Sequence, residues 1–187
     1  MSEPPADPAP SGGIPPIEFD EREVVLYPYD AAWPGRYERW RALILEACGE
    51  AIVEIHHIGS TSVPGMLAKP VIDIMPGLAR FEDGREMVAG MEGLGFEARG
   101  EYGIPLRHYF HRPDVHVHAY PVGQSQWWDQ LLFRDYLRGH AEAREAYAAL
   151  KEELRRSYRF DRVAFSDHKS EFVAEVLAKA RAERAEG

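Results

Sequence analysis

Residues 54–76 read EIHHIGSTSVPGMLAKPVIDIMP, and this stretch decides the fold. Ile52–Ile58 is rich in β-branched residues and predicts a short strand, and Val71–Met75 predicts another. Between them the chain turns to Gly, Ser, Thr and Pro, which is turn chemistry. Side chains alternate along a strand, so Val71, Asp73 and Met75 share one face and Ile72 and Ile74 the other. A carboxylate in an apolar strand is costly to bury unpaired. Asp73 must therefore face a cation, a metal, hydrogen-bond donors or water.

Downstream, Phe81–Leu94 predicts a helix closed by Gly95. Phe96–Tyr102 and Leu106–His111 predict strands around a turn containing Gly103, and Val115–Tyr120 predicts a third. Upstream, Glu23–Tyr27 predicts a short edge strand. Asp30–Cys48 predicts a helix, with Asp30 as cap and Pro34 in the first turn. Trp33, Tyr37, Trp40, Ile44 and Ala47 recur there at helical spacing, as a core stripe. From Ser125 onward the pattern predicts helices over Gln126–Arg138, Ala141–Tyr158 and Asp167–Ala182, with Trp127 and Trp128 as core residues. Strands followed by helices predict an α+β domain over residues 21–187, a mixed sheet with helices on one face or end.

The bulk numbers narrow the classes. A net charge of −9 argues against general nucleic-acid or membrane-surface binding. Cys48 stands alone, so no internal disulfide forms, and it reads as a small core residue. No apolar run reaches the ~18–20 residues of a membrane span. Residues 1–20 are Pro-rich and acidic at the start, which predicts a disordered tail rather than a signal peptide and makes the cytoplasm the default location.

Three clusters carry chemistry. On Val115–Tyr120, His116, His118 and Tyr120 share a face. Two histidines at i and i+2 can enter one site and bind a transition metal, with Asp73 as the carboxylate if the strands are neighbours. The plain alternative is hydrogen bonding within a polar cleft. Gly59-Ser60-Thr61-Ser62 follows a strand, and such a turn can cradle phosphate, with Lys69 offsetting its charge. The same residues also suit an ordinary tight turn. Arg134 and Arg138 share a helix face suited to phosphate or carboxylate, or to solvated ion pairs. Arg107 and Lys169 are further isolated cations.

HHIGSTSVPGMLAKPVIDI (56–74), HVHAYP (116–121), LLFRDYLRGH (131–140), AYAALKEEL (146–154) and HKSEFVAEVL (168–177) together resemble the GrpB family, over about Val24 to Ala180. That family looks like a branch of the nucleotidyltransferase superfamily, whose polymerase-β-like fold is the one the resemblance implies. The superfamily pattern is a Gly-Ser pair ending a strand, an acidic-x-acidic pair on the next strand and a third acid on a neighbour, holding two divalent metals for in-line transfer. Gly59-Ser60 match the first part and Asp73 the first acid. The second acid falls on Met75, which offers Mg²⁺ no oxygen, and the third-acid strand carries His116 and His118. The resemblance implies a nucleotide or other phosphate-bearing ligand, with a divalent metal (Mg²⁺, Mn²⁺ or Zn²⁺) as the expected cofactor. Asp73, His116 and His118 are the expected catalytic or metal-binding set, a histidine serving as ligand or general base. His57, Gly59, Ser60, Thr61, Ser62, Lys69, Arg107, Arg134 and Lys169 are the expected phosphate-binding set. Two other readings stand beside this one: a non-catalytic nucleotide or small-molecule binding module, and a metal-dependent hydrolase built on Asp73, His116 and His118.

Overall fold

The computed structural model describes residues 23–186; the expected N-terminal tail lies outside the described residues. Five strands form one mixed sheet: β1 (Glu54–Ile58), β2 (Ile72–Leu78), β3 (Glu97–Ala98), β4 (His108–Arg112) and β5 (Val115–Pro121). Their order is β1-β2-β5-β4-β3, with β2 and β5 parallel and the other pairs antiparallel. The register puts Asp73 beside Ile58 on one flank and His116 on the other, while His116 and His118 stand opposite His111 and Tyr109. Alternation then sorts the faces. Asp73, Met75, His116, His118 and Tyr120 share one; Ile72, Ile74, Val115, Val117 and Ala119 share the other.

The apolar face is covered by α1 (Trp33–Cys48) and α2 (Met87–Gly93). Helix α1 forms because Trp33, Tyr37, Trp40, Ile44 and Cys48 repeat every three or four residues, and all are buried. Cys48 closes this stripe, where Ala47 was expected, and Ala47 faces solvent. Asp30 precedes the helix and accepts from the Ala32 N–H at 2.8 Å. The opposite face receives α3 (Ser125–Gly139), whose Trp127 packs on Ile58, Met75 and Tyr120. Helices α4 (Ala141–Ser157), α5 (Arg162–Asp167) and α6 (Ser170–Glu186) complete that side, with α3 packed on α4 and α6. The domain is α+β as expected, but helices cover both sheet faces rather than one. Among the described residues no helix is long and apolar enough to cross a membrane.

Several element boundaries differ from expectation. Glu23–Tyr27 is no strand: it makes one isolated β-bridge, Tyr27 to Ala68, while Val24 is buried against Leu154 and Phe165 and donates its N–H to Arg159 O. Phe81–Leu94 divides into a 3-10 turn (Phe81–Arg85) and α2. Asp83 Oδ2 accepts from Arg80 N–H, and an added Cβ at Gly84 would overlap the His108 ring, so this segment is pinned against the sheet. Of Phe96–Tyr102 only Glu97–Ala98 is regular strand; Arg99 and Gly100 still bond Tyr109 through the backbone, and positive φ at Gly100, Tyr102 and Gly103 then turns the chain away. The last expected helix starts three residues late, as α6 from Ser170, and a short helix that was not expected, α5, precedes it, capped by Asp161 accepting from Ala164 N–H. Trp127 is core, but Trp128 is 38% exposed beneath the Arg184 guanidinium.

Candidate functional site

A cavity of about 300 Å³ lies between the polar sheet face, the turn after β1, and helices α3, α4 and α6. Gly59, Ser60, Thr61, Lys69, Asp73, His116, Arg134 and Lys169 line it, as does Lys151, which sequence reasoning missed.

The turn is built tightly. Gly59 has φ +69°, a conformation costly for other residues, and an added Cβ there would overlap Asp73 Oδ2. Glycine thus lets the turn and the carboxylate touch. Ser60–Ser62 forms a 3-10 turn, with the Ser62 hydroxyl donating to Gly59 O at 2.6 Å. Thr61 Oγ1 donates to Val71 O at 3.2 Å, so its oxygen is free to accept from His57 Nε2 at 3.0 Å. His57 therefore braces the turn from the α1 side, stacked on Tyr37 at 4.7 Å, and does not line the cavity. Burial pushes its pKa down to about 4, so the ring is neutral. Ser62 is likewise turned away, its carbonyl held by Arg138 Nε at 3.0 Å and Nη2 at 2.7 Å. Arg134 donates to His57 O at 3.2 Å and pairs with Asp135, leaving its guanidinium at the cavity wall.

Lys69, Lys151 and Lys169 converge on this space. Lys151 is 3% exposed and sits on the buried stripe of α4 with Tyr147 and Leu154. Its Nζ donates to Ser60 Oγ at 3.1 Å and to the Leu67 carbonyl. The break between α5 and α6 brings Lys169 to the wall, its Nζ 4.5 Å from the Phe165 ring centre. Burial, then the neighbouring lysines, push Lys151 down to about 7 and Lys169 to about 8; burial also lowers Lys69. Among the described residues no carboxylate forms an ion pair with any of the three. Asp73 acts on Lys69 and Lys169 only through space, so three buried cations face one carboxylate and are poised to receive an anion.

At the sheet end of the cavity, Asp73 meets both strand histidines. His118 Nε2 lies 3.3 Å and His116 Nδ1 3.6 Å from Asp73 Oδ1. Burial alone would raise the pKa of Asp73; hydrogen bonding and charge from His116 and His118 outweigh it and hold the carboxyl well below its usual range. Burial lowers the pKa of His118 against the opposing pull of Asp73. Arg107 is not at the cavity. It spans Glu101 O, Tyr102 O and, at 3.4 Å, His118 Nδ1, which places it behind His118.

Metal ligation can be judged from the donor set. The two-Mg²⁺ arrangement does not fit, because Met75, at the second acid position, is fully buried against Ile58, Tyr120 and Trp127. Asp73, His116 and His118 do offer ligand atoms within 4.8 Å of one another. The outer partners of the two imidazoles decide whether that set suits a metal.

A family model described as GrpB protein matches residues 23–179. The chain belongs to the GrpB family. A UPF0157 protein of Streptomyces coelicolor is 38% identical over 168 residues, covering 87% of each chain. Another, from Pseudomonas aeruginosa, is 36% identical over 171 residues, covering 87% of this chain and 70% of the relative. The crystal structure of conserved protein GrpB from Enterococcus faecalis superposes with a TM-score of 0.80 at 27% identity, over 86% of this chain and 99% of that one. The five-stranded sheet and its helices are therefore a GrpB architecture.

Proposed function

We propose that this GrpB-family protein is nucleotidyltransferase-like in frame and that its cavity binds a nucleotide or other phosphate-bearing small molecule. The observation that carries the reading is the convergence of Lys69, Lys151 and Lys169 on the Ser60–Thr61 turn, within one cavity that also contains Asp73. Ammonium groups supply charge, Ser60 Oγ and the turn supply hydrogen bonds, and Arg134 adds a guanidinium at the wall. The strand–Gly59-Ser60–turn, followed by Asp73 on the adjacent strand, supports a polymerase-β-like placement. One observation favours the second reading, a binding module without turnover: Met75 lies in an apolar cluster where a second acid would stand.

Calorimetry with inorganic triphosphate and the four common nucleoside triphosphates, with Mg²⁺ and separately with EDTA, tests binding. Wild-type protein binds at least one of them, and Lys151→Met weakens that binding about tenfold or more, as expected for a lost charge-assisted contact of ~1.5–3 kcal/mol. Equal binding by wild type and Lys151→Met would overturn the assignment of the cavity. ³¹P NMR of the same mixtures then separates the readings: product resonances support transfer, and unchanged nucleotide supports the binding module.

A further inference from the structure

The hydrogen-bonding partners around Asp73 determine what that carboxylate does. Arg107 is a donor only. Its Nη1 points at His118 Nδ1, so Nδ1 accepts and Nε2 carries the proton, which it directs at Asp73 Oδ1. A metal on His118 Nε2 would need the lone pair there. The proton would then move to Nδ1 and face the Arg107 N–H, donor against donor. His116 fails differently. Its Nδ1 faces Asp73, and its Nε2 is buried without any hydrogen-bond partner. A metal on Nδ1 would leave an Nε2–H with no acceptor. Metal-bound imidazoles almost always donate their distal N–H to a carboxylate, carbonyl or water. Neither ring has that acceptor among the described residues. The three groups are near enough for a metal, but the proton positions set by their neighbours are wrong for one.

Asp73 Oδ1 thus takes the approach of both histidines, and Oδ2, against Gly59, accepts no hydrogen bond from the protein among the described residues. We propose that Asp73 is a fixed, metal-free binding carboxylate, and that Oδ2 receives a hydroxyl or ammonium donor of the ligand whose phosphate the lysines hold. This rests on the reading of the cavity as a phosphate site. It narrows the ligand class to phosphate-bearing molecules with a hydrogen-bond donor near the phosphate, such as a sugar phosphate, a nucleotide presenting its ribose, or a phosphorylated amine. His118 is then a positioning residue: Arg107 sets its tautomer, and its Nε2–H aims the carboxylate.

Long-range ¹H–¹⁵N correlation spectra of the intact protein test the tautomer. The proton of His118 is expected on Nε2, and Arg107→Leu is expected to release that preference. A proton on Nδ1 in the wild type overturns the proposal. Titration with Zn²⁺ and Mn²⁺ alone is a second arm. One-to-one binding that His118→Ala abolishes overturns it; the absence of such binding supports it. A third arm turns on sign. In EDTA, Asp73→Asn removes a repulsive charge beside the lysines and is expected to tighten inorganic triphosphate about tenfold, for charges several ångströms apart in a partly buried site. If Asp73 instead held a phosphate-bridging metal, the same variant would weaken binding in metal-containing buffer. Failure of triphosphate to bind any variant would sink the phosphate-site reading, while the tautomer and metal arms would still decide the role of Asp73.

Discussion

Gly59 joins two demands that a sequence shows only separately. Its φ of +69° calls for glycine, and so does its contact with Asp73. Gly59→Ala should destabilise the fold by about 1–3 kcal/mol from backbone strain alone, read as a lower urea midpoint at unchanged slope. It should also displace the Asp73 carboxylate and weaken ligand binding. Lys151 makes a different prediction. Its folded pKa, about 7, lies below its ordinary 10.5, so between those values the unfolded chain binds more protons. Stability therefore rises with pH from about 7 toward 10.5, and Lys151→Met should flatten that rise in urea titrations at pH 7 and pH 9. Anion affinity should run the other way, falling as pH rises through 7 and 8, where Lys151 and Lys169 lose their charge. Lys151 was hard to find by sequence because a lysine in AYAALKEEL resembles the solvated charges beside it; only its spacing from Tyr147 and Leu154 marks it as inward. His57, expected in the phosphate-binding set, lies outside this cavity for a related reason. Neighbours on a strand face opposite ways, and the register with β2 puts His57 on the Ile74 side, away from Asp73.

The turn after β1 is braced from both sides of the sheet. His57 and Thr61 tie it to β1 and to the entry of β2, and Arg138 of α3 grips the Ser62 carbonyl. Thr61→Val keeps the shape but leaves the buried His57 Nε2–H and Val71 carbonyl without this partner, at a cost of about 1–3 kcal/mol in equilibrium unfolding. Ligand affinity should fall with it, because the Ser60 hydroxyl rides on the same turn. The strands bearing Asp73 and His116 were legible, since apolar alternation identifies each strand and its faces. Their pairing was legible only as a condition, because nothing local in a sequence states which strands become neighbours. The short elements were the least legible. Glu97–Ala98 and the short helix α5 depend on positive-φ residues and on a cap at Asp161, which act over two or three positions and leave no periodic trace.

The architecture assigns separate tasks to the two sheet faces. One is closed by the aromatic stripe of α1 and carries stability; the other carries Asp73, His116 and the lysine-lined cavity. A triphosphate bound at 100 times its dissociation constant should add ~2.7 kcal/mol, shifting the melting temperature of a chain this size by several degrees. At a tenfold loss of affinity, Lys151→Met should remove about half of that shift, and more if the loss is larger. The order of strands followed by helices was enough to predict an α+β fold, with the strand–turn–strand unit of the central motif as its start. The helical wall was visible only as packing stripes, whose partners are set by tertiary contacts such as Tyr147 on Phe172.

The walls of the cavity come from distant parts of the chain: Gly59, Lys69 and Asp73 from one end of the described residues, and Lys151 and Lys169 from the other. A ribosome delivers the turn and the carboxylate about a hundred residues before Lys169 emerges. Until α6 docks there is no enclosed place for an anion, so a half-made or C-terminally clipped chain is blind to its ligand. If the cavity holds a phosphate-bearing ligand as proposed, its occupancy would report that α6 has docked.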